Sequence, residues 1–119
     1  MKIFTSKTQQ LGQKGEDQAV GYLKKAGYTV LDRNVSNTFG EIDIVAKKRG
    51  VYYFFEVKAG NWSTAINPAD NLTKAKLRKF FISIEYYCLN HKVSDYRAQG
   101  ILVLFKPEGD CGIEIIELF

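Results

Sequence analysis

The sequence predicts an α/β domain in which a mixed β-sheet is flanked by helices, and three observations carry that expectation. Apolar residues recur at helical spacing near the N-terminus. Short β-branched and aromatic runs, separated by polar turns, fill the middle of the chain. A second helical stripe then precedes two further apolar runs at the C-terminus. The resulting order is α-β-β-β-α-β-β, which calls for helices packed on a central sheet. With 119 residues and no repeat, low-complexity tract or linker, residues 1–119 read as one domain.

The first helix is expected over about Thr8 to Ala26, where Leu11, Ala19, Val20, Leu23 and Ala26 share a stripe and Gly27 supplies the stop. Tyr28 to Arg33 reads as a short strand that ends in a polar turn, Asn34 to Thr38. Glu41 to Lys47 and Val51 to Ala59 read as a hairpin closed by Lys48-Arg49-Gly50. Gly60 to Asn71 is loop-like, with Asp70 and Asn71 as candidate caps for a second helix running to about Asn90. Its stripe is Leu77, Phe80, Phe81, Ile84 and Cys88. Ile101 to Phe105 and Ile113 to Leu118 close the chain as a hairpin across Pro107 to Gly112.

Composition narrows the function. The net charge of +4 suits a polyanionic partner, and equally a lysine-rich solvated surface. His91 is the only histidine, which removes histidine-pair metal sites and His/His catalysis. The two cysteines, Cys88 and Cys111, lack metal-ligand spacing and fit a reducing compartment. There is no GxGxxG or Walker-type motif for a nucleotide cofactor. No apolar run reaches bilayer-spanning length, so a soluble cytoplasmic protein without a membrane partner is expected. Any chemistry must rest on carboxylates and lysines.

Those residues stand where strand patterns should be apolar. In Tyr52-Tyr53-Phe54-Phe55-Glu56-Val57-Lys58, alternation places Glu56 and Lys58 on the face of Tyr52 and Phe54. In Gly40-Glu41-Ile42-Asp43-Ile44, Glu41 and Asp43 are expected on one face, with Ile42 and Ile44 on the other. A hairpin centred between Arg49 and Gly50 sets Asp43 opposite Glu56 and Glu41 opposite Lys58. Facing carboxylates repel unless one is protonated or a cation lies between them. Glu16 shares the buried stripe of the first helix, so it too is expected to face the sheet and meet this group. All-oxygen ligation of this kind suits Mg²⁺ or Mn²⁺. The alternative is a solvated sheet face on which the acids pair with Lys58 or with a cation from the turn.

Asp43 followed by Glu56-Val57-Lys58 resembles the D…(D/E)xK pattern of the PD-(D/E)xK nuclease superfamily, whose fold is restriction-endonuclease-like. The wider set of Gly12, Gly15-Glu16, Gly27-Tyr28, Arg33-Asn34, Gly40-Glu41-Ile42-Asp43-Ile44-Val45-Ala46 and Phe55-Glu56-Val57-Lys58 looks like the YraN-type family of endonuclease-like proteins. The resemblance implies a mixed sheet similar to that of archaeal Holliday junction resolvases. It also implies Asp43 and Glu56 as metal ligands, Lys58 as the catalytic lysine, Glu16 as a supporting carboxylate and Lys76 as a helix lysine. Two departures stand out. Ala59-Gly60 lacks the arginine that usually follows Glu-Val-Lys, and Arg97-Ala98-Gln99-Gly100 lacks the aspartate of an Arg-Phe-Asp strand.

Lys74, Lys76, Arg78 and Lys79 form a basic cluster, readable as phosphate contacts or as an ordinary solvated helix face. Lys47, Lys48 and Arg49 at the hairpin tip allow the same two readings. For Trp62 a hydrophobic plug over the core is favoured over base stacking; Tyr86 and Tyr87 are expected to pack, and His91 to end the helix. The expected function is Mg²⁺-dependent hydrolysis of DNA phosphodiesters, by a monomer or a homodimer, with branched or damaged DNA among the candidate substrates; DNA versus RNA preference is left open by the sequence. Its rivals are a non-catalytic nucleic-acid-binding module and a small scaffold with a structural cation.

Overall fold

The structure is a computed structural model and describes residues 7–62 and 73–118. Helix α1 spans Lys7–Lys25, followed by strands β1 (Thr29–Asn37), β2 (Gly40–Lys48) and β3 (Val51–Asn61). Helix α2 spans Lys74–His91 and leads into β4 (Tyr96–Phe105) and β5 (Cys111–Glu117). The five strands lie side by side in sequence order, antiparallel except for the parallel pair β3 and β4. That parallel step needs a crossover, and α2 lies within it. The α-β-β-β-α-β-β order and the mixed sheet expected from sequence are both present. Among the described residues no helix is long and apolar enough to cross a membrane.

Local chemistry explains the punctuation. Helix α1 ends in a Schellman motif: Tyr28 N–H donates to the Leu23 carbonyl at 2.9 Å and Gly27 N–H to the Lys24 carbonyl at 3.2 Å. Gly27 sits at φ 94°, a conformation open to glycine at little cost. Arg49 and Gly50 both have positive φ, 52° and 81°, the geometry of a two-residue primed hairpin turn. Helix α2 is capped by Thr73, whose hydroxyl accepts from Lys76 N–H at 3.2 Å. The expected caps Asp70 and Asn71 lie outside the described residues.

The sheet is covered on both faces. On the α1 face, Ala19, Val20 and Leu23 pack against Ile44, Ala46, Phe55, Ile101 and Val103. On the α2 face, Phe80, Ile84 and Tyr87 pack against Ile42, Val45, Phe54 and Ala98. Phe54 and Phe55 are both fully buried, one on each face, each contributing roughly 1.5–3 kcal/mol. Gly15 lets α1 approach β3, because a Cβ there would overlap the Ala59 methyl.

Most strands run longer than their hydropathy suggests: β3 continues through Gly60 and Asn61, expected as loop, β5 begins at Cys111 rather than Ile113, and β1 and β4 extend furthest. β1 continues to Asn37, through the expected turn at Asn34 to Thr38, because Val35, Ser36 and Asn37 pair with Ile42, Glu41 and Gly40. β4 begins at Tyr96 rather than Ile101, since Tyr96 to Gly100 pair in parallel with Tyr52 to Glu56. Gln99 is buried in that extension and donates a hydrogen bond to Glu117, a polar pairing that no apolar pattern announces.

Candidate functional site

The site is organised by a place where the regular ladder stops. β2 and β3 pair from Lys48↔Val51 to Ile44↔Phe55, the register expected from the hairpin, and the pairing does not continue to Asp43 and Glu56. Instead Val57 N–H donates to Asp43 Oδ2 at 2.7 Å, so a carboxylate replaces the next backbone acceptor. The strands therefore part at Asp43, and neither Asp43–Glu56 nor Glu41–Lys58 is a ladder pair.

The expectation that Ile42 and Ile44 share a face is corrected here. Ile44 belongs to the cluster under α1 and Ile42 to the cluster under α2, so β2 changes face across Asp43. β1 does the same across Asn34, where Arg33 reaches α1 and Val35 packs with the α2 cluster. Asn34 holds φ 52°, and it stands across from Asp43 between the pairs Arg33↔Ile44 and Val35↔Ile42. A left-handed residue in β1 thus lies opposite Asp43, where β2 also changes face.

On β3, Phe54 lies in the α2 cluster and Phe55 in the α1 cluster, so alternation directs Glu56 and Lys58 toward α2. Glu56 is half-buried, and its carboxyl is pushed up from 4.5 to about 8, first by burial, then by Asp43 and Glu41. Lys76 of α2 and Lys58 act in the opposite sense and offset part of the rise. Asp43, Glu56, Lys58 and Lys76 thus come together, with Glu41 as a further acid whose charge reaches Glu56. Asp43 is half-buried, whereas Glu41, Lys58 and Lys76 are exposed.

Glu16 is buried, 7% exposed, as the stripe of α1 predicts. It comes from the helix on the other face of the sheet, which corrects the expectation that all three acids meet on one face. Its Oε1 accepts from Arg33 Nε at 3.0 Å and from Asn34 Nδ2 at 2.9 Å, while Arg33 Nη2 also donates to Asp17 at 2.7 Å. Glu16 therefore reaches the site's edge through Asn34, the residue across from Asp43. The Arg33-Asn34 motif had no assigned role in the sequence; holding Glu16 is the role the structure gives it.

The remaining candidates divide. Lys74, Arg78 and Lys79 are exposed on α2 beside Lys76, around the helix end nearest Glu56. Lys48 is structural: its Nζ donates to the Ala26 carbonyl at 2.7 Å at the end of α1 and lies 4.7 Å from the Tyr28 ring centroid. Tyr87 is buried, His91 stacks on it at 3.8 Å, and Tyr86 packs against Phe39. Trp62 is not the expected plug; it is 57% exposed and belongs to neither apolar cluster. Lys106, unremarked in the sequence, lies over its ring.

Among the described residues no three His, Cys, Asp or Glu side chains gather into a metal cage. The two-carboxylate set fits the way Mg²⁺ is commonly held, by one or two carboxylates with water and substrate phosphate oxygens completing its shell. Burial of Glu56 near Asp43 and Glu41 is a charge imbalance that a divalent cation would offset.

An α/β sheet with this order and a carboxylate–lysine cluster where its hairpin opens defines a domain of the restriction-endonuclease-like type. The chain belongs to the uncharacterised protein family UPF0102, the YraN family, whose model matches residues 15–105. It is similar to a UPF0102 protein of Helicobacter pylori, 36% identical over 104 residues that cover 87% of this chain and 89% of the relative. Another, from Campylobacter lari, is 39% identical over 99 residues, 82% of this chain and 85% of its own. A third, from Nitratiruptor, is 36% identical over 94 residues, 78% of this chain and 81% of its own. A crystal structure of SSO0001 aligns with 94% of this chain and 52% of its own length, at 15% identity and a TM-score of 0.42, too distant to bear on function.

Proposed function

We propose that this protein is a metal-dependent nuclease that hydrolyses phosphodiester bonds of DNA in the cytoplasm. The observation that carries the reading is the meeting of Asp43, Glu56 and Lys58 where β2 and β3 part, with Lys76 facing them from α2. Asp43 and Glu56 would hold Mg²⁺ or Mn²⁺. When bound, such an ion supplies Lewis acidity toward a phosphate oxygen and acidifies water. Lys58, beside the ligands, orients or deprotonates the attacking water, or offsets charge on the phosphorus oxygens in the transition state. Lys76, Lys74, Arg78 and Lys79 hold the backbone on either side of the scissile phosphate. Glu16, fixed by Arg33 and Asn34, sets the position of the strand segment opposite Asp43.

A small domain of this kind is expected to read backbone and shape rather than sequence. The second reading is a nucleic-acid-binding module without turnover; Gly60, buried beside Leu104, stands where the sequence resemblance implies an arginine. The test is cleavage of single-stranded, duplex and branched DNA in Mg²⁺ and Mn²⁺ by the parent and by Lys58→Ala. Cleavage that the substitution abolishes supports the nuclease reading. Salt-sensitive binding with no cleavage supports the second.

A further inference from the structure

The carboxyl ends of the parallel strands β3 and β4 carry a second feature, on the same strand as Glu56 and Lys58. Their last registered pair is Asn61↔Phe105, and the next residues are Trp62 and Lys106. A large aromatic ring is costly to leave in water, yet Trp62 is 57% exposed. Lys106 Nζ stands 5.8 Å from its ring centroid, near the outer limit of a cation–π contact. Asn61, Trp62, Phe105, Lys106 and Pro107 line a cavity of about 240 Å³. That is below the size of drug-sized ligand pockets and suits a single planar ring system.

We propose that Trp62 and Lys106 form a stacking subsite for an unpaired nucleobase, so that the nucleic acid served by the carboxylate cluster is single-stranded at that point. An indole offers a stacking face to any base, and a lysine beside it offers charge to the adjoining phosphate. Inside a duplex both faces of each base are covered by neighbours, so away from the ends a base can reach Trp62 only where the strand is open. Trp62 lies four residues beyond Lys58, about 13 Å along a strand. That separation falls within the few nucleotides that a single-strand groove tracks. The inference rests on the nuclease reading for its choice of ligand, but the subsite is separable from catalysis.

Trp62 is the chain's only tryptophan, so fluorescence excited beyond the absorption of its seven tyrosines reports on this subsite. The experiment titrates the full chain, with no divalent cation added, with a short oligodeoxyadenylate and with a blunt duplex of equal length. The single strand should quench the emission far more than the duplex, whose free stacking faces are confined to its two ends. With a labelled single strand followed by anisotropy, Trp62→Ala should weaken binding about tenfold, and Trp62→Phe should recover most of the loss. Absence of quenching, equal quenching by the duplex, or parent-like binding by Trp62→Ala overturns the proposal. Quenching that persists in a protein cleaving no substrate retires the nuclease reading and keeps the subsite. Single-strand cleavage that Trp62→Ala leaves unchanged does the reverse.

Discussion

Glu56→Gln isolates the electrostatic tension of the candidate site. In the unfolded chain Glu56 ionises near its ordinary value of 4.5; in the fold, burial, Asp43 and Glu41 hold its proton until about pH 8. Between those values the folded state binds more protons than the unfolded state, so stability falls as pH rises through that window. The full rise from 4.5 to about 8 corresponds to about 5 kcal/mol. Glu56 is half-buried rather than sealed, so solvent screening reduces this to about 2–3 kcal/mol between pH 5 and pH 8. The assay is urea unfolding at a series of pH values, without divalent cations, for the parent and Glu56→Gln. Glutamine keeps the shape and cannot ionise, so the parent should lose about 2–3 kcal/mol more than the variant across the window. That is a difference of about 1–2 M in midpoint for an ordinary urea dependence. Parallel curves, or a parent that gains on the variant as pH rises, would refute the reasoning that Glu56 is buried among like charges.

Further outcomes follow from single positions. Gly15→Ala should cost about 1–3 kcal/mol, because the new methyl overlaps Ala59, whereas Gly21→Ala, with open space around it, should gain about 0.5–1 kcal/mol; both read out as urea midpoints. Arg33→Ala should cost about 1–3 kcal/mol in the same measurement, since among the described residues the buried Glu16 carboxylate would keep only its Asn34 donor. Lys76→Ala should weaken DNA binding and reduce the slope of log K against log salt by about one, measured by anisotropy across a salt series.

The sequence made much of the frame legible, for identifiable reasons. Arg49-Gly50 pins a hairpin turn, and the turn pins the register down to Ile44↔Phe55. The apolar stripe of α1 is regular enough to place Glu16 indoors. What it hid were departures from regularity. Face assignment by alternation assumes an unbroken pleat, and a single left-handed Asn34 breaks it in β1 while Asp43 breaks it in β2. The start of β4 is masked by Arg97 and Gln99, because Gln99 is buried through a side-chain partner rather than through hydrophobicity. Trp62 misleads for the opposite reason: its composition predicts burial, and its position past the end of β3 leaves it exposed. At the site, motif spacing named Asp43, Glu56 and Lys58, but only tertiary placement shows Lys76 and Glu41 acting on Glu56.

Whether Asp43 and Glu56 form one divalent-metal site is decided by calorimetry with Mn²⁺ on the parent, Asp43→Ala and Glu56→Ala. The parent should bind Mn²⁺, and either substitution should abolish the binding while the fold, checked by circular dichroism, remains. If the three folded proteins give the same titration, the acids are structural and the nuclease reading is wrong.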